Sequence, residues 1–148
     1  MNTKILVIAF FAFVLLSCKK NAYNTKPTIK IKSISRNFVP IGENLTIQLE
    51  VTDKEGDVTD SLFMNKVRIN QKKEPLTIRD TLYFKVPDAP NNTDGIVQLD
   101  LQYENHLKSA QNDVGQHDTL IFKFALQDKA KNKSDTISSE PIVIERKK

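Results

Sequence analysis

The residues able to do chemistry fall into a few groups. Cys18 is the only cysteine in the chain; a small residue, Ser17, precedes it, and twelve consecutive apolar residues, Ile5 to Leu16, lie upstream. A lone cysteine closes no internal disulfide, so the domain's stability must come from a core. Asp53, Glu55, Asp57 and Asp60 place alternate carboxylates around Gly56. Such a turn can wrap a hard cation such as calcium, although the EF-hand pattern is missing its final Glu, and a solvated acidic loop is the other reading. His106 and His117 lie in a polar segment with Asp113 and Asp118. Their spacing matches no zinc pattern, and no nucleophile sits in a recognisable motif, so both histidines read as surface residues and no catalytic residue is assigned. Finally, Asp followed by Ser or Thr and an apolar residue recurs at Asp60-Ser61-Leu62, Asp80-Thr81-Leu82, Asp118-Thr119-Leu120 and Asp135-Thr136-Ile137.

The segment around Cys18 has the layout of an export signal. Asn2-Thr3-Lys4 gives a positive start, and the apolar run that follows is shorter than the roughly 20 residues a membrane-spanning helix needs. Leu15-Leu16-Ser17-Cys18 resembles the lipobox of bacterial lipoproteins. That resemblance implies diacylation of the Cys18 thiol, cleavage after Ser17 and further acylation of the new amino group. Residues 1–17 are then a lipoprotein signal peptide, and residues 18–27 are the lipidated N-terminus and a polar tether. The nine tether residues after Cys18 reach at most about 30 Å, which holds the domain near its membrane. Lys19-Lys20-Asn21 lacks the acidic cluster that resembles the surface-export signal of Bacteroidota lipoproteins, so the expected position is the periplasmic face of the outer membrane.

The Asp-Ser/Thr-apolar triplets resemble the acceptor signal of the general O-glycosylation system of Bacteroidota, which makes Ser61, Thr81, Thr119 and Thr136 candidate glycan sites. Random order of this composition would give about half a match, and four are present. The triplets also describe how a strand starts: Asp ends a turn, a β-former follows, and a core residue comes next. Both readings stay open at this stage.

From Thr28 onward the elements that must position these residues are strands. Ile29 and Ile31 open a first, with Phe38-Val39 continuing after a break. Leu45, Ile47, Leu49 and Val51 alternate with polar residues in a second, the clearest half-buried strand in the chain. Leu62 to Ile69, Leu82 to Val86, and Val97 to Tyr103 follow. Leu120, Phe122, Phe124 and Leu126 give the last strong run, and Ile137, Ile142 and Ile144 complete the set. The segment between Tyr103 and Asp118 holds at most a turn or two of helix around His106 to Gln111. Tyr103, Phe122 and Phe124 take inward positions. No stretch sustains a helical period, so residues 28–148 are expected to form one all-β domain, an antiparallel β-sandwich of about seven strands.

Val39-Pro40-Ile41-Gly42-Glu43-Asn44-Leu45-Thr46, Thr52-Asp53-Lys54-Glu55-Gly56-Asp57 and the final hairpin Leu126 to Ser134 resemble immunoglobulin-like domains of bacterial surface proteins, including the fibronectin and polycystic-kidney-disease types. Lys131 stands in that hairpin where such domains often carry Gly. The chain as a whole resembles the small lipoproteins common in Bacteroidota, a likeness that brings no activity with it. Immunoglobulin topology implies that the loop after the second strand and the final hairpin share one end of the sandwich. Asp53, Glu55 and Asp57 would then lie near Asp128 and Asn132 as a calcium-binding tip, with the Lys26-Pro27 end of the tether arriving beside it.

Composition narrows the function class. The formal charge of +4 is spread along the chain apart from Lys19-Lys20 and Arg146-Lys147-Lys148, and reads as solvated surface. There is no aromatic-basic stripe for nucleic acid, and with no Trp a sugar-stacking platform is disfavoured. The expectation is a lipid-anchored binding or structural module of the cell envelope, held to membrane lipid through acylated Cys18 and serving a protein partner. An accessory subunit of an outer-membrane uptake or secretion complex is one alternative, and a hydrolase is the other.

Overall fold

A computed structural model describes residues 26–56, 61–70, 81–86, 93–108 and 117–146. Nine strands follow in chain order: β1 (Thr28–Ile34), β2 (Phe38–Val39), β3 (Leu45–Thr52), β4 (Ser61–Arg68), β5 (Thr81–Lys85), β6 (Asp94–Leu101), β7 (Asp118–Gln127), β8 (Ile137–Ser138) and β9 (Ile142–Ile144). One sheet has the order β1-β3-β6. The other has the order β2-β9-β7-β4-β5, with β8 also paired to β7. This is an all-β, immunoglobulin-like sandwich, and no helix of the described residues is long and apolar enough to cross a membrane.

Alternation in the sequence decides which residues meet between the sheets. Leu45, Ile47, Leu49 and Val51 of β3 are all buried, and in register they face Leu101, Leu99, Val97 and Gly95 of β6. From the other side come Leu62 and Met64 of β4, Leu120, Phe122, Phe124 and Leu126 of β7, and Ile142 and Ile144 of β9. A fully buried side chain of this size stabilises the fold by about 1.5–3 kcal/mol relative to exposure. The outer face of the three-stranded sheet is mostly polar, with Ile96 exposed on it. Thr46 donates to Asp100 at 2.8 Å, Gln98 donates to Asp100 at 3.1 Å, and Gln48 donates to Gln98 at 3.1 Å. The bonds from Gln98 and Thr46 hold the Asp100 carboxyl below its ordinary range.

Two details depart from the sequence expectation. Phe38-Val39 does not continue β1; it crosses to the other sheet and pairs in parallel with β9, so the sandwich is not antiparallel throughout. β1 shifts register between Ile31 and Ser33 before the chain crosses, and the turn after Val39, where Gly42 has φ +80° and Glu43 N–H donates to Pro40 O, leads back to β3 in the first sheet. The helical turn lies at Tyr103–Leu107, earlier than expected, because Tyr103 and Leu107 bury against the core and pull that segment in.

In the final hairpin Lys131 has φ +70°, the left-handed region in which a side chain is strained. Lys131→Gly is therefore expected to raise stability by up to about 1 kcal/mol, read as a higher denaturant midpoint at unchanged slope.

Candidate functional site

The two sheets differ in what they present to solvent. On the five-strand path the core-facing residues are apolar apart from Lys66, Arg68 and Asp118, and many of the alternate residues that face away are apolar too. Phe38, Val143, Ile121 and Val67 run across β2, β9, β7 and β4, linked by the pairings Phe38–Val143 and Val67–Ile121. Beside the end of β4, Ile69 donates its N–H to Thr119 O. Phe38 and Ile69 are each 42% exposed. Nearer the other end, Phe63 stacks edge-on against Tyr83 at 5.1 Å, and Tyr83 is 69% exposed. Lys133 places its ammonium 5.9 Å from the Phe63 ring centre. Large apolar side chains grouped on a solvent-facing sheet are the usual mark of a docking surface.

At the end of the sandwich where β7 begins, a carboxylate is buried among cations. Asp118 is 1% exposed and takes an inward position in β7. Arg146 donates to Asp118 Oδ2 from Nε at 2.7 Å and from Nη2 at 2.5 Å. Arg68 brings Nε to 2.8 Å from Oδ1, an ion contact not aligned as a hydrogen bond, and donates from Nη2 to Oδ2 at 3.3 Å. Neighbouring bonds fix the frame around them. Asn70 donates to His117 O and accepts from Thr119 N–H, Lys66 donates to His106 O, and Tyr103 O–H donates to Glu145 O at 2.6 Å. Burial, with Glu104 adding to it, raises the Tyr103 pKa, so the phenol keeps the proton it donates. His106 Nδ1 accepts from Gln102 N–H and His117 Nδ1 from Arg146 N–H. Each imidazole is thus tied into local backbone, and among the described residues no three His, Cys, Asp or Glu side chains converge as a metal site would require.

The described carboxylates at one end of the sandwich serve the chain itself. Ser61 pairs with Gln127, and Thr28 with Thr52, so the end of β3, the final hairpin and the start of β1 share that end. Lys26, just before β1, makes a 2.5 Å ion pair with Asp135. Asp128 is fully buried and accepts from Asn132 N–H at 2.7 Å on Oδ1 and from Asn132 Nδ2 at 2.9 Å on Oδ2. Asp53 is 1% exposed and accepts Glu55 N–H at 3.4 Å. Asp57 and Asp60, like Cys18 and Asp113, lie outside the described residues. Because both Asp128 oxygens are engaged within the hairpin, millimolar calcium is expected to leave the melting temperature unchanged. Asp128→Ala should cost about 1–3 kcal/mol with or without calcium. A concentration-dependent rise in the parent's melting temperature would restore the calcium reading.

The candidate glycan acceptors divide by access. Thr136 and Thr81 are exposed, whereas Ser61 and Thr119 are half-buried within paired strands. Asp118 of the third triplet belongs to the buried ion cluster, which favours the strand-start reading there; Thr136 is the most open acceptor, and peptide mass mapping of the native protein is the check.

Sequence reasoning missed both the apolar outer face and the two arginines, and both had a signal. The triplets Leu62-Phe63-Met64, Leu120-Ile121-Phe122 and Ile142-Val143-Ile144 break the polar alternation that a half-solvated strand should show. In β4, Lys66 and Arg68 share the parity of the core residues Leu62 and Met64, and Asp118 shares that of Leu120. Arg146, expected at the surface, has a side chain only 9% exposed because Asp118 draws it in.

No family model matches the chain, and no curated protein does. Among solved structures, the crystal structure of Spo0M, a sporulation control protein from Bacillus subtilis, is similar at 10% identity and a TM-score of 0.39. The likeness covers 82% of this chain and 50% of that one, so the chain spans about half the length of that protein. A resemblance that slight carries nothing about activity or partners.

Proposed function

We propose that this chain is a lipid-anchored binding module of the cell envelope, whose partner docks on the outer face of the β2-β9-β7-β4-β5 sheet. The observation that carries the reading is the contrast between the two outer faces: one is a hydrogen-bonded polar ladder with a single large exposed hydrophobic among the described residues, Ile96, and the other groups Phe38, Phe63, Val67, Ile69, Tyr83 and Ile121. Attachment through Cys18 supports it. A short tether arriving at the Asp53 and Asp128 end would turn that end toward the membrane and leave the broad face of that sheet open sideways to an envelope neighbour. The periplasmic face of the outer membrane is the position that the residues after Cys18 favour. An accessory subunit of an uptake or secretion complex is the specific form this role would take, with the module acting by binding and not by catalysis.

Two outward side chains test the reading without touching the core. An Ile69→Ser, Tyr83→Ser double variant, at two exposed positions of this face, should keep the parent's stability within about 1 kcal/mol, since surface substitutions usually do. It should lose the protein that co-purifies with the tagged parent from native membranes. Retention of the same co-purifying protein at the same yield would remove this face from consideration.

A further inference from the structure

The charges on the apolar face say what kind of partner it fits. Outward positions of its strands carry Lys85 and Lys123, both exposed, and Lys133 leans over Phe63 from the final hairpin. The same outward positions of β2, β4, β5, β7 and β9 carry no Asp or Glu. Asp118 of β7 points inward, and Glu145, one residue past β9, is engaged by the Ile41 N–H at 3.1 Å. The surface is therefore two apolar groups, Phe63 with Tyr83 and Val67 with Ile121, with the Asn65–Lys123 pair between them and Lys85 and Lys133 beside them.

We infer that the partner is a different protein, one that presents apolar side chains with carboxylates set among and beside them. Charges of opposite sign speed encounter and fix register, while like charges brought together across an interface are costly. The same reasoning excludes a second copy of this chain on this face. A two-fold contact pairs the patch with itself, so Lys123 and Lys85 of each copy would meet a face whose described outward positions offer apolar and neutral polar residues and further lysines but no carboxylate. The inference rests on the reading of this face as the binding surface and adds the partner's chemistry to it.

Photo-crosslinking in the native host tests this with the full lipoprotein. A benzoylphenylalanine is placed at Tyr83 or Ile121 on the proposed face, or at Gln48 on the polar face, and the crosslinked peptide is sequenced by mass spectrometry. The expected result is one partner protein captured from Tyr83 and Ile121 but not from Gln48, through a segment rich in Asp or Glu. Lys123→Glu with Lys133→Glu should cut the yield at least tenfold while the domain's thermal unfolding stays as in the parent. Capture through a segment without carboxylates, or a yield indifferent to the lysine reversals, would overturn the inferred chemistry and leave the docking face standing. Crosslinks of the chain to itself would overturn it in favour of a homodimer. Capture from Gln48 alone, or none from either face position, would overturn both the inference and the docking face.

Discussion

Asp118→Ala is expected to destabilise the domain by about 3–5 kcal/mol, enough to unfold a large fraction of a protein of ordinary stability at growth temperature. The reason is what the carboxylate leaves behind. Arg68 and Arg146 have side chains 8% and 9% exposed, and both direct guanidinium groups at Asp118. With the carboxylate gone, two cations stay on the core side of the sheet with their principal counter-charge removed, and burying a charge without a partner costs far more than a lost surface ion pair. The expected magnitude measures the cost of the orphaned arginines, not the net worth of the cluster. A second variant separates the two. Replacing all three residues with apolar ones, Asp118→Leu, Arg68→Met and Arg146→Leu, should recover most of the loss, because a well-packed apolar set of similar volume is often as stable as the ion cluster it replaces. Denaturant midpoints of the single and triple variants check this. A single variant within about 1 kcal/mol of the parent would mean that water reaches the cluster and screens it.

The cluster also shows where sequence reasoning reached and where it stopped. Strands could be read because one face of each is dry: Leu45 to Val51 and Leu120 to Leu126 repeat every second residue, and every apolar residue of those runs on the core parity is buried. That the end of β3 and the final hairpin lie together followed from topology alone, and Lys26, just before β1, pairs there with Asp135. Alternation gives parity, however, and says nothing of partners. Asp118 carries the parity of a core residue, and only the fold shows that Arg68, fifty positions away, and Arg146, twenty-eight away, make that placement tolerable. Phe38-Val39 was misplaced for a related reason. A two-residue strand has too little pattern to declare its sheet, and its parallel partner, Val143-Ile144, lies at the far end of the chain. The acidic residues of the tip read either as ligands or as a solvated loop, because sequence shows oxygen atoms without showing whether backbone N–H groups bond to them, as they do at Asp53 and Asp128.

Cys18→Ser should have the largest effect on where the protein is found. A serine hydroxyl is a far weaker nucleophile than a thiolate, so the acyl transfer that the Leu15-Leu16-Ser17-Cys18 motif calls for would not occur, and cleavage after Ser17 depends on it. The energetics make the change nearly all-or-none. Each buried methylene contributes about 0.8 kcal/mol, one chain gives only marginal attachment, and two or three make it stable. The variant should therefore accumulate at the precursor's size, show no acyl mass, and fail to partition into detergent as the parent does. Size has to be read together with partitioning, because an uncut precursor keeps the apolar run Ile5 to Leu16 and can linger at the inner membrane through it. A variant trimmed to the parent's size and held as firmly in the outer membrane would sink the anchor, and with it the reason for turning the Asp53 and Asp128 end toward a membrane. A released, unprocessed variant that still unfolds like the parent would show instead that lipid decides only location, and that the sandwich stands on the core between its two sheets.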